Sequence, residues 1–159
     1  MKTYRAEPVF EAKNALGEGP VWDGGNRQLV WVNIDGRELW RYRPDTGKAD
    51  RTAFDRKIGA AVPARDGSWI LAMEDGFYRL NPATGETARI AATDEPNPAN
   101  RMNDGKVDRN GRFWAGTISA RWEKDGSLYL LEEGGRLTRK LTGIVCSNGL
   151  AWNEDDSVM

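Results

Sequence analysis

Leu39-Trp40-Arg41-Tyr42-Arg43-Pro44-Asp45-Thr46-Gly47 returns 38 residues later as Phe77-Tyr78-Arg79-Leu80-Asn81-Pro82-Ala83-Thr84-Gly85. In both copies a short aromatic run meets a Pro-containing turn closed by Thr-Gly, the pattern of a strand feeding a tight reversal. A second register stacks Trp22, Val62, Val107 and Trp152, at offsets of 40, 45 and 45 residues. Each is followed by a turn signal: Asp23-Gly24-Gly25, Arg65-Asp66-Gly67, Arg109-Asn110-Gly111 and Asn153-Glu154-Asp155.

Working outward from these repeats, short runs rich in Trp, Val, Tyr and Ile occupy 28–33, 38–43, 68–73, 77–80, 112–117 and 127–132. Runs of this length bounded by Asp-Gly and Asn-Gly are strands joined by hairpins. No long stretch carries a capped apolar period of 3.6, so the chain is expected to be all-β. A repeat of 40–45 residues with about four strands per unit is the signature of β-propeller blades, and two independent registers favour it over a β-sandwich. Residues 1–159 then hold about three blades plus the first strand of a fourth, a partial propeller. Propellers close with at least about four blades. The chain is therefore expected to be a fragment of a longer protein; self-association of two copies is the alternative if it is truly 159 residues long.

Composition narrows the chemistry. With 23 Lys+Arg against 24 Asp+Glu the net charge is −1, which argues against a nucleic-acid platform or a membrane-surface patch. The chain contains no His, which removes Ser-His-Asp and Cys-His nucleophile pairs and His-based metal sites. Cys146 is the only cysteine, so no internal disulfide or thiolate cluster can form. Any metal must be held by oxygens, which suits Ca²⁺, Mg²⁺ or Mn²⁺. No apolar run of about 18 residues and no apolar leader is present, so a cytoplasmic protein is expected.

In a propeller the innermost strands line a central channel, so one register of successive repeats faces a common axis. Four positions before the stacked residues lie Glu18, Ile58, Asn103 and Asn148. One carboxylate and two carboxamides converging on one mouth would form an oxygen-only cation site with positions left for water. Asn-Gly and Asn-Asp-Gly are also ordinary turn formers, and each Asn taken singly has that simpler explanation. Arg101 could sit over the same mouth and contact an anionic or hydroxyl-rich ligand, or be a solvated arginine of the Pro- and Asn-rich stretch 94–103. The seven Trp could form a sugar-stacking platform, but most fall within strand runs and are expected in the core. Cys146 is expected to be a small buried hydrophobe, Asp108 a turn residue, and Glu132-Glu133-Gly134-Gly135 a hairpin tip.

The strings Leu16-Gly17-Glu18-Gly19-Pro20-Val21-Trp22, Arg101-Met102-Asn103-Asp104-Gly105-Lys106-Val107-Asp108, Gly111-Arg112-Phe113-Trp114-Ala115-Gly116-Thr117 and Ser147-Asn148-Gly149-Leu150-Ala151-Trp152 resemble the regucalcin (senescence marker protein 30) and gluconolactonase family. The resemblance runs over residues 15–152, with four motifs in order. It implies a six-bladed propeller that binds one divalent cation (Ca, Mg, Mn or Zn, with Ca or Mg favoured) and opens sugar-acid lactones of the gluconolactone or pentonolactone type. By position, Glu18 and Asn148 resemble the family's metal ligands, and Arg101 and Asn103 its substrate-contacting residues, with Asn103 also close to the metal. The family's Asp, a ligand and general base, comes from a later blade, beyond residue 159. The 159-residue chain alone is therefore expected to have little lactonase activity. Arg121 departs from the acidic residue that animal members tend to carry near the substrate. The partner implied is a small sugar lactone. The alternative function is a non-catalytic propeller module binding a cation or a protein partner. A propeller esterase acting on aryl or phosphate esters is disfavoured because such enzymes use His near the metal.

Overall fold

The computed structural model describes residues 2–159. Its strands form three four-stranded antiparallel sheets, each with its strands side by side in chain order. The first sheet holds β1 (Gly17–Asp23), β2 (Gln28–Asn33), β3 (Glu38–Arg43) and β4 (Lys48–Ala53). The second holds β5 (Ile58–Pro63), β6 (Trp69–Met73), β7 (Gly76–Leu80) and β8 (Thr87–Ala92). The third holds β9 (Arg101–Val107), β10 (Phe113–Ile118), β11 (Gly126–Leu131) and β12 (Leu137–Ile144). The six runs read from sequence fall within one residue of β2, β3, β6, β7, β10 and β11. The expected hairpin tip is a short 3₁₀ turn at Glu133–Gly135.

The opening strand of a fourth blade is a correction. Residues 147–159 form no strand, because a strand needs a ladder partner and none of the described residues supplies one. Only an isolated bridge joins Ile118 to Cys146. The turn of that unit nevertheless forms. Asn153 N donates to Val158 O at 3.1 Å, as Ala64 N does to Ser68 O at 2.8 Å and Asp108 N to Arg112 O at 3.0 Å.

The core lies between the sheets. Val30, Val32 and Leu39 of the first sheet pack on Ile58, Trp69, Leu71, Met73 and Leu80 of the second. On the other side, Ala60, Val62, Ala72 and Phe77 of the second sheet meet Met102, Phe113, Ala115, Tyr129 and Leu131 of the third. The second sheet is thus covered on both faces, which is why β5 and β6 are nearly unbroken apolar runs rather than alternating ones. The Phe77 and Phe113 rings meet edge to face at 5.5 Å between centroids, a favoured aromatic geometry.

A side-chain device recurs in all three sheets. Trp40 lies opposite Arg51, Tyr78 opposite Arg89 and Tyr129 opposite Arg139, each pair joining the third strand to the fourth. The guanidinium carbons sit 5.3, 5.5 and 5.7 Å from the ring centroids. A carboxylate completes each set: Glu38 at 3.1 Å from Arg51, Asp75 at 2.8 Å from Arg89 and Asp94 at 2.6 Å from Arg139.

Candidate functional site

The start of every inner strand is irregular. In β1 the pairing with β2 steps from Glu18 to Val21, leaving Gly19 and Pro20 in a bulge. In β5 the step passes over Gly59, and in β9 it passes over Asn103 and Asp104. Bulges at one level of successive strands re-aim side chains where pairing would fix them. Two of the sequence candidates, Glu18 and Asn103, sit at these bulges. Asn103 is therefore a strand residue, and it is absent from the residues with positive φ, as is Asn148. The turn-former explanation does not fit Asn103, whereas Asn148 is followed by Gly149 at φ +72°, as a turn requires.

Two glycines let the site close up. A Cβ on Gly59 would lie 2.5 Å from the Met102 carbonyl carbon and oxygen and 2.7 Å from Asn103 O, so β5 and β9 touch by backbone at that point. A Cβ on Gly116 would lie 2.2 Å from Ser147 Oγ, so the segment leading to Asn148 runs directly over β10.

The structure brings Arg101, Asn103, Asp104 and the Asn148 segment together. Arg101 Nη1 donates to Asn103 Oδ1 at 3.1 Å and to Met102 O at 2.9 Å. Asn103 Nδ2 donates to Ser147 O at 2.8 Å and approaches Cys146 Sγ at 3.6 Å. Asp104 accepts from Gly105 N at 2.7 Å and from Gly149 N at 2.8 Å. Arg101 is thus not a solvated loop arginine: it opens β9 and is half-buried. Its remaining guanidinium nitrogens have no protein partner among the described residues, and no carboxylate pairs with it. Cys146 is half-buried beside Asn103 rather than in the core. Asp108, as expected, organises a turn, accepting from Asn110 N, Arg112 N and Nε, and Trp114 Nε1.

Glu18 and Asn148 are exposed, and neither side chain has a hydrogen-bond or ion-pair partner among the described residues. Glu18 belongs to the first sheet, and among the described residues no hydrogen bond or ion pair joins it to the Arg101–Asn103–Asn148 group. Among the described residues no three His, Cys, Asp or Glu side chains gather to hold a metal ion. The oxygens that are free, one carboxylate and one carboxamide, suit a hard cation with water filling its other positions.

A cavity of about 920 Å³ opens between the second and third sheets on the same end. Its walls include Lys57, Glu74, Glu95, Asn100, Arg101, Ser119 and Trp122. Lys57 Nζ reaches across to Asp35 at 2.7 Å. That bond, helped by the charges of Lys57 and Arg101, holds the Asp35 carboxyl below its ordinary range. Arg121 does not line the cavity; its Nη2 is drawn to Asp125 at 3.0 Å and Glu123 at 3.3 Å. Lys57 and Trp122 were missed from sequence. Trp122 carried a signal, since it stands among Arg121, Glu123, Lys124 and Asp125 rather than in an apolar run.

The fold defines an all-β protein of three four-stranded antiparallel sheets packed in succession. The chain belongs to the SMP-30/gluconolactonase/LRE-like family, whose profile matches residues 16–159. Regucalcin of Xenopus laevis is 33% identical over 165 residues, covering 100% of this chain and 55% of the relative. YvrE of Bacillus subtilis (strain 168), named as a candidate sugar lactone lactonase, is 34% identical, covering 96% and 53%. The chain thus spans about half the length of the curated relatives it matches. Among solved structures, a calcium-binding regucalcin of Agrobacterium tumefaciens superposes with a TM-score of 0.80 at 29% identity, covering 86% of this chain and 46% of that one. A luciferin-regenerating enzyme gives 0.82 at 26% identity, covering 89% and 50%. No helix among the described residues is long and apolar enough to cross a membrane.

Proposed function

We propose that this chain carries the cation- and substrate-binding part of a divalent-cation-dependent hydrolase of sugar-acid lactones, cytoplasmic and closing as a six-bladed propeller. The observation that supports it most is that Arg101, hydrogen-bonded to Asn103, keeps spare donors beside the Asn148 segment, while the Glu18 and Asn148 side chains are left without protein partners among the described residues. In this reading Glu18 and Asn148 hold the cation, Ca²⁺ or Mg²⁺. When bound, the cation supplies Lewis-acid polarisation of the lactone carbonyl.

The chain's own residues do the rest of the binding work. Arg101, tied back through Nη1, presents its remaining N–H groups to lactone hydroxyl or carbonyl oxygens. Asn103 fixes the height of the Ser147–Asn148 segment through its bond to Ser147 O and holds Arg101 by its Oδ1. Asp104 fixes the same segment from its other side through Gly149 N. We place the general base, an Asp, outside these 159 residues, so the isolated chain binds better than it turns over.

The test is titration of the purified chain with Ca²⁺ and Mg²⁺, alongside acid release from D-glucono-1,5-lactone. One bound cation is expected, weakened about tenfold or more in Glu18→Ala and Asn148→Ala. A wild-type chain that binds no divalent cation, or variants that bind as well as wild type, overturns the assignment. Cation binding by a protein that includes the missing blades, without any lactone opening, would instead favour a non-catalytic module.

A further inference from the structure

Trp122 is 71% exposed, yet it forms part of the cavity wall described above. Its φ is +58°, a region in which a bulky L side chain is strained. The loop beneath it is held firmly. Ser119 Oγ accepts from Arg121 N at 3.2 Å and Glu123 N at 3.0 Å, and Ser119 O accepts from Trp122 N at 3.3 Å. Asn100, only 3% exposed, accepts from Ala120 N at 3.0 Å and donates to Asp125 Oδ1 at 3.2 Å and Glu95 Oε2 at 3.1 Å. This indole buries little surface, so core packing does not account for it. Its strained backbone is over-determined by a polar scaffold, the situation in which strain accompanies function.

The other lining residues indicate what the ring would meet. Arg56, Lys57 and Arg101 stand against Asp55, Glu74, Asp75 and Glu95, a near balance of charge that disfavours a phosphate and suits a neutral, hydroxyl-rich ring. An indole offers such a ring a flat apolar surface for its C–H face while polar walls satisfy its hydroxyls. We propose that Trp122 is a stacking residue for the sugar-lactone ring and sets which ring size and substituents the site accepts. The proposal rests on the lactone reading given under Proposed function. Arg121, turned to Asp125 and Glu123, leaves this place to its neighbour.

The probe is D-glucono-1,5-lactam, which keeps the ring and removes the ester, titrated against the full chain while the indole N–H signals are followed by NMR. Trp122→Ala is expected to weaken lactam binding about three- to tenfold, the range for loss of one aromatic stacking partner. Trp122→Phe should retain most of the affinity. Trp122→Gly, which accepts positive φ freely, should lose affinity while its melting temperature holds or rises, a split that a structural role would not give. Equal lactam binding by wild type and Trp122→Ala, or no binding by wild type, overturns the proposal. Lactam binding through Trp122 in a protein that includes the missing blades, without any lactone opening there, leaves it standing and sinks the hydrolase reading. Lactone opening with an unchanged KM in Trp122→Ala does the reverse.

Discussion

A methyl group at position 59 has nowhere to go, because backbone atoms of Met102 and Asn103 already occupy its place. Backbone cannot swing aside as a flexible side chain can, so Gly59→Ala should cost about 1–3 kcal/mol, the usual range for overpacking a filled site. Chemical denaturation measures this, and an unchanged midpoint would mean that the bulge in β5 gives way. The same close approach sets the height of Arg101 and Asn103. At this scale the sequence was informative where a residue type was unusual for its place. Glu18, Asn103 and Asn148 stood out because their register repeated and the chain had no imidazole. Lys57 and the Asn100–Asp125 scaffold did not stand out, because lysines and short polar side chains in loops have many ordinary explanations, and only three-dimensional closure makes them partners.

At the scale of the element, the pairing of aromatic, arginine and carboxylate ties each third strand to its fourth. Tyr129 Oη bonds Glu95 at 2.7 Å and Asp94 at 3.1 Å, and burial together with Glu95 pushes its pKa up. Tyr78 Oη donates to Asp75 at 2.9 Å and accepts from Arg56 at 2.8 Å. Removing either hydroxyl takes a hydrogen bond from carboxylates that keep their other partners, so Tyr78→Phe and Tyr129→Phe should each cost about 1 kcal/mol in equilibrium unfolding. A neutral result in both would reduce the device to chance proximity. The outer strands β4, β8 and β12 escaped the sequence reading for a related reason. Lys48–Ala53 and Thr87–Ala92 are mostly polar or small and largely exposed, so no apolar alternation marks them. They are strands because a ladder, and their own arginine set against an aromatic ring of the third strand, hold them there. The central strands were legible because burial on one or both faces demands apolar runs of the right length.

Across the whole molecule, the carboxylates dominate the response to acid. Burial pushes Asp23, Asp50, Asp75, Asp94 and Asp108 up, but hydrogen bonds and neighbouring guanidinium or amide groups carry each below its ordinary value. The Ser119 hydroxyl, with Arg121, Asn97 and Asn100, brings Asp125 to about 2. A carboxyl with a depressed folded-state pKa stabilises fully above its unfolded value, near 4, and loses that contribution as pH falls through the folded one. No His is available to add a transition near neutrality. The urea midpoint should therefore be flat from about pH 5 to 8 and fall steeply below about pH 4; a step near pH 6 would contradict this. The order of strands in each sheet has a kinetic consequence. Since every ladder joins neighbours along the chain, each closes across a short connection, and the entropy of bringing its ends together is small. Only the docking of one sheet on the next requires distant segments to meet. Hairpin formation and sheet docking are thus separable events, and the chain can assemble in the order in which it leaves the ribosome, with the doubly covered middle sheet as the template for both neighbours.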